Sequence, residues 1–179
     1  MPNHVRNVVK IKVKNKITVQ DILNRCTSFD PDDPLGKDSH FDFDKIIPEP
    51  RTEVECPEDC RVTPDSHIMK DDERPWFDWY EWHNKYWGTK WNAYDGYTII
   101  GKSYVQFVFN TAWATPDNIY KKLDEIFNDC NMEIKWADED LGANCGKAVH
   151  YPDEDNYNIT WMDEEPNSRD FARRIWNNY

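Results

Sequence analysis

A chain of 179 residues with a formal net charge of -12 can fill one hydrophobic core and is short for two ordinary domains, so it reads as a single domain over residues 1–179. The carboxylate excess weighs against direct binding of nucleic-acid phosphates or anionic lipid, both of which call for clustered Lys and Arg. No run of about 18 uncharged apolar residues occurs, and the opening MPNHVR lacks the apolar stretch of a signal peptide, so the expected place is the cytoplasm, away from membranes.

The apolar fraction is a modest 39%, but 9 Trp, 9 Tyr and 8 Phe concentrate it in large rings that each bury much area. Cys26, Cys56, Cys60, Cys130 and Cys145 form an odd set without the dense, even spacing of a secreted disulfide scaffold. Reduced thiols are expected. Cys56 and Cys60 with His67 suggest a zinc clip, but zinc takes about four ligands and no second Cys or His pair follows. The expectation is no metal and no cofactor.

Residues 5–14 alternate, with Val9, Ile11 and Val13 on one face and Lys10, Lys12 and Lys14 on the other, the pattern of a half-buried strand. Thr18 is a candidate cap for a short helix whose Val19, Ile22, Leu23 and Cys26 share a face. After a loop at 30–37, residues 41–48 (FDFDKIIP) read as a second short strand closed by prolines. Residues 48–74 carry Pro48, Pro50, Pro57 and Pro64 among many charges and read as a long acidic surface loop. Pro75 suits a first helical turn, and Trp76, Trp79, Tyr80, His83 and Trp87 recur at helical spacing up to Gly88.

Residues 97–113 predict a hairpin turning at Gly101 and Lys102, with Val105, Phe107 and Phe109 on one face. Thr115-Pro116-Asp117 opens a helix whose stripe is Ile119, Leu123, Ile126 and Phe127. Residues 132–136, 146–151 and 157–161 read as three further strands, and a last helix covers about 168–177. Together the elements predict an α+β fold, a ferredoxin-like antiparallel sheet with helices mainly on one face. Val9, Ile11, Val105, Phe107, Phe109, Ile134 and Ile159 are its expected core.

Four segments, MPNHVRN at 1–7, FDFDKIIP at 41–48, WGTKWNAYD at 87–95 and ADEDLGANCG at 137–146, resemble in content and order the YubB-type, Api-like ferredoxin-like proteins of phages and plasmids. The resemblance covers most of the chain. It implies a ferredoxin-like domain on a mobile genetic element and no particular reaction or catalytic residue.

Two readings of function follow. In the first the chain is an accessory binding protein that engages a host protein with a basic surface, conceivably a defence nuclease complex, since acidic excess favours encounter with cations. Its contacts are then Asp138, Glu139, Asp140, Asp153, Glu154 and Asp155, which flank one predicted strand. In the second it is a small metal-dependent enzyme on a phosphate-containing substrate, with Asp138, Glu139 and Asp140 as hard oxygen ligands and Lys90 as the phosphate partner, a reading that gains where Asp95, Asp138 and Asp140 converge beside Lys90. Lys90, Asn92 and Asp95, set among Trp87, Trp91 and Tyr94, are the candidate pocket. No nucleophile triad or phosphate loop is found, and His83 reads as a packed histidine. An RNA-binding sheet face suits the fold but not the charge.

Overall fold

A computed structural model describes residues 3–14, 16–28, 40–62, 71–152, 158–162 and 167–179. The opening alternation forms β1 (His4–Lys12), with Val5, Val9 and Ile11 fully buried on one face. Helix α1 (Val19–Cys26) follows, held by a capping box: the Thr18 hydroxyl accepts from the Asp21 N–H while the Asp21 carboxylate accepts from the Thr18 N–H. Two short strands, β2 (Thr27–Ser28) and β3 (His40–Phe41), pair with each other.

The strand expected at 41–48 is therefore mostly something else. Asp42 accepts from the Asp44 N–H (3.0 Å) and starts a 3-10 turn over Phe43–Lys45. Phe41 and Phe43 both enter the core, so the alternation is real while the backbone coils. The aromatic helix α2 begins later than Pro75 suggests. Asp78 caps it through the Glu81 N–H (3.1 Å), and Phe77 is still paired in a bridge with Arg61. Its first turn, Trp79–Trp82, widens to a π-helix over His83–Trp87, and the Gly88 N–H reaches back to the His83 carbonyl (3.0 Å). Gly88 has φ 87, a left-handed conformation that suits glycine.

The hairpin is β4 (Tyr94–Ile100) and β5 (Tyr104–Ala112). Helix α3 (Asp117–Ile126) starts after Pro116 without a side-chain cap; the Thr115 hydroxyl donates instead to the Asp117 carboxylate (2.8 Å). Strands β6 (Asn131–Asp138), β7 (Cys145–His150) and β8 (Asn158–Trp161) and helix α4 (Ser168–Asn178) complete the chain. Among the described residues no helix is long and apolar enough to cross a membrane.

The six long strands make one antiparallel sheet in the order β4-β5-β1-β6-β7-β8. Two crossovers define it. The chain leaves β1, passes through α1 and returns at β4 on the far side of β5, and it leaves β5, passes through α3 and returns at β6 on the far side of β1. This split βαβ repeated twice is the ferredoxin-like arrangement, and β7 and β8 extend it by one edge. Val9, Ile11, Val105, Phe107, Phe109 and Ile134 are all buried in the larger core with Ile22, Ile119 and Leu123; the side chain of Ile159 lies outside the described residues. Helix α4 packs on the opposite face, where Phe171, Ala172 and Ile175 cover Val8, Val108, Ala137 and Cys145.

Between Pro48 and Arg74 the described residues include one 3-10 turn, Glu58–Cys60, and send Cys56 and Cys60 into the core, where they remain thiols like the other three cysteines. His67 lies outside the described residues. Phe107 sits on a central strand with its ring 4.7 Å from that of Phe41. Phe107→Ala should therefore cost about 3–5 kcal/mol in chemical denaturation, and a loss below about 1 kcal/mol contradicts this packing.

Candidate functional site

One end of the sheet gathers two exposed indoles and several of the polar residues singled out by the sequence. Its scaffold starts at Glu49. The carboxylate of Glu49 pairs with Arg74 (2.6 Å) and with His83 Nε2 (2.5 Å), while Arg74 also pairs with Asp71 (2.6 Å). His83 stacks on buried Trp87 (centroids 4.0 Å apart) and its Nδ1 meets the Lys90 carbonyl (2.8 Å). Thr89 donates to the Ala112 carbonyl (2.8 Å), fastening the same segment to β5. Asn92 holds its other end: its carbonyl oxygen accepts from the Phe43 and Ala93 N–H groups (both 2.8 Å) and its amide donates to Asp42 (2.7 Å). Asn92 is thus committed to the scaffold.

Lys90 is the brace of an aromatic surface. Its ammonium lies 4.6 Å from the Trp91 ring centroid, 4.9 Å from that of Trp113 and 5.9 Å from that of Tyr80, a cation–π arrangement that fixes the two indoles relative to each other. Trp91 is 37% exposed and Trp113 48% exposed. Trp113 has φ 67, which a bulky residue adopts only under constraint. Its N–H donates to the Asn3 carbonyl (2.9 Å), and its own carbonyl accepts from the Asn144 amide (3.4 Å). Asn144 is also left-handed, at φ 38. Trp113 forms one wall of an open cleft of about 570 Å³ whose other walls include Gly88, Asp117, Asn118, Lys121 and Asn144.

Carboxylates surround this end. Glu139 accepts from the His4 N–H (2.9 Å) and is exposed, as are Asp140 and Asp95. Tyr94 pairs with His4 Nδ1 (2.7 Å), and its phenol is pushed up to about 12 by burial and by the charges of Asp95 and Glu139. Asp138 is different. It is 5% exposed and turns inward, accepting from the Asp140 N–H (2.8 Å) and the Asn3 amide (3.4 Å), while its carbonyl accepts from Trp176 Nε1 (3.0 Å). The expectation that Asp138 is a surface contact is corrected, because its carboxylate closes the turn after β6. Asp153, Glu154 and Asp155 lie outside the described residues.

The arrangement needed for a metal-dependent phosphate enzyme is not formed. Asp138 faces Asn3, Asp95 is on the surface, Lys90 lies over rings, and among the described residues no three His, Cys, Asp or Glu side chains are grouped to hold a metal. What the geometry offers is a rigid surface of two exposed indoles beside a cleft and a rim of carboxylates. Sequence reasoning had placed Trp91 here but passed over Trp113, Lys121 and Asn144. A left-handed tryptophan after a strand leaves no periodic signal, and its position is visible only once β5 and the β6–β7 turn are side by side.

Fold and site together describe a ferredoxin-like α+β domain with an open aromatic end. Residues 86–178, just over half of the chain, match the family described as the ferredoxin-like domain in Api92-like protein, and the chain belongs to that family. No curated protein and no solved structure matches it.

Two carboxyls of this scaffold predict opposite pH behaviour. Burial opposes charge on Glu49, but hydrogen bonds from His83 and Arg74 outweigh it and hold the carboxyl below its ordinary range. Its stabilisation is present above the unfolded value of about 4.3 and is lost as pH falls through the lower folded value. Burial instead pushes Asp138 up, so its contribution is favourable in acid and is lost as pH rises through the raised value. Glu49→Gln should lower the melting temperature at pH 7 and flatten its fall in acid. Asp138→Asn should leave melting at pH 7 unchanged or higher. Melting curves from pH 3 to 8 check both, and a Glu49→Gln whose melting temperature falls in acid as steeply as the parent's, or a strongly destabilised Asp138→Asn, contradicts the assignment.

Proposed function

We propose that the protein acts by binding another protein at the tryptophan end of its sheet, and that the partner is a host protein with a basic surface. The observation that carries this reading is Trp113, a half-exposed indole held in a left-handed backbone at φ 67 and braced by Lys90. Exposed Trp, clamped before binding, is the residue type that dominates interface energetics. Neighbouring Glu139, Asp140 and Asp95 favour a cationic partner and speed its encounter. The resemblance to YubB-type proteins supports a phage or plasmid setting within a bacterial host. In that setting a defence nuclease complex, whose nucleic-acid-binding surface is basic, is the candidate target.

The site separates folding from binding. Trp113→Gly removes the indole and places at φ 67 a residue that adopts this conformation freely. The variant should fold at least as stably as the parent and bind its partner about 30-fold or more weakly, the loss expected of a hot-spot residue at 2 kcal/mol or above. Glu139→Lys with Asp140→Lys should slow association, and added salt should slow the parent in the same way. Partners recovered by affinity capture from host extract, identified and then measured by surface plasmon resonance against the three proteins, provide the test. Unchanged affinity in Trp113→Gly rejects the site.

A further inference from the structure

Among the described residues, the sheet face under α4 carries more cations than carboxylates. Strand β1 directs Lys10 and Lys12 to that face, opposite the core-facing Val9 and Ile11. By register Lys12 lies beside Tyr104, and Lys135 on β6 lies beside Lys147 on β7. Helix α4 crosses the sheet from Cys145, whose thiol contacts the Ser168 carbonyl, to Tyr97, whose hydroxyl donates to the Tyr179 carbonyl (3.1 Å). Along one flank it leaves a groove of about 350 Å³ in which Lys135 and Lys147 face Arg174 and Asn178 of the helix. Glu133, the carboxylate of that groove, is paired with Lys135 (2.8 Å), which leaves the exposed Lys147 and Arg174 facing solvent.

Beyond the groove the same face carries rings. Lys10 lies over the Tyr104 ring (4.3 Å), and Tyr97 and Ile99 are exposed at the β4 edge (45% and 37%). From Lys147 to Tyr104 is three strand spacings across and four residues along, roughly 20 Å, the reach of a few nucleotides. A cationic groove running onto tyrosine rings on an open sheet is the surface that single strands use, with phosphates on the cations and bases on the rings.

We infer that the sheet face beside α4 binds single-stranded nucleic acid without strong sequence preference, through Lys147 and Arg174 to phosphates and Tyr104 to a base. This goes beyond the protein-binding reading and does not depend on it: the two surfaces share no residue. The overall charge of -12 weakens the attraction at long range, but at physiological salt charges more than about 8 Å away are largely screened. Local cations then decide. Net charge is a sum, and the strands collect these cations on one face of the sheet.

The test uses the full chain and fluorescence anisotropy with labelled 12-nucleotide DNA and RNA of mixed sequence in 50–200 mM salt. The expected result is saturable binding whose logarithm falls with log salt at a slope of about -1.4, the value for two phosphates on a single strand. Lys147→Glu with Arg174→Glu, both exposed and so harmless to the fold, should weaken it at least tenfold; Tyr104→Ala should weaken it and keep the slope. Trp113→Gly should bind as the parent does, which distinguishes failure here from failure of the protein-binding site. Absence of binding at 50 mM salt, equal binding by the charge-reversed protein, or capture of an acidic peptide in place of the oligonucleotide overturns the inference.

Discussion

Strand β1 is the constraint on which the rest depends. It is the central strand, paired residue by residue with β5 on one side and β6 on the other, so its register decides which face every neighbour presents. A slip of one residue would send Lys10 and Lys12 into the core and Val9 and Ile11 out of it. Asn7 holds the register. Fully buried, it donates to the Val5 carbonyl (2.8 Å) and to the Thr111 hydroxyl (3.0 Å), and accepts from the Tyr120 hydroxyl on α3. A buried amide without these partners is costly, so the network selects one placement of β1 against β5 and α3 where apolar packing alone tolerates several. Strand β1 lies outside residues 86–178, the stretch that matches the family, yet it separates β5 from β6 within the sheet.

The second constraint is how the acidic segment is fastened. The stretch around Glu49, Cys56, Cys60 and Asp71 to Phe77 has almost no regular structure, and its hold comes from buried rings, thiols and the Glu49, Arg74, Asp71 and His83 cluster. Removing one member of such a cluster leaves the others charged and partly desolvated, which costs more than the intact cluster contributes. Because His83 also carries the Lys90 carbonyl, this cluster reaches the aromatic end through a single ring. Segment and site are mechanically one piece.

Much of the fold was legible because its signals are local. The K-I-K-V-K alternation, the capping residue Thr18 and the apolar stripe of α3 each specify an element without help from distant residues. Failures occurred where one local pattern serves two backbones. Phe41 and Phe43 point inward from a 3-10 turn as they would from a strand, and Pro75 precedes a bridge at Phe77 before any helix starts. The candidate site was legible in part. The segment from Trp87 to Asp95 does lie at the open end, but its polar residues are divided: Asn92 belongs to the scaffold, Lys90 braces the indoles and Asp95 faces solvent. Asp138 looked like its acidic neighbours in sequence and differs because strand pairing ends there, which turns its carboxylate inward.

Charge is where the sequence is least able to speak, since a sum contains no direction. The described residues of the acidic segment pack over the larger core, on the same side of the sheet as α1 and α3, whereas Lys10, Lys12, Lys135 and Lys147 emerge on the opposite side beside α4. The sheet is a layer of low polarizability between them, and at physiological salt each side is screened from the other within about one Debye length. A molecule with its charges divided in this way meets cations and anions with different faces, and its net charge governs neither encounter. On the two proposals made above, the α4 face is the one a polyanion meets, and the tryptophan end at the edge of the sheet is left to a protein partner.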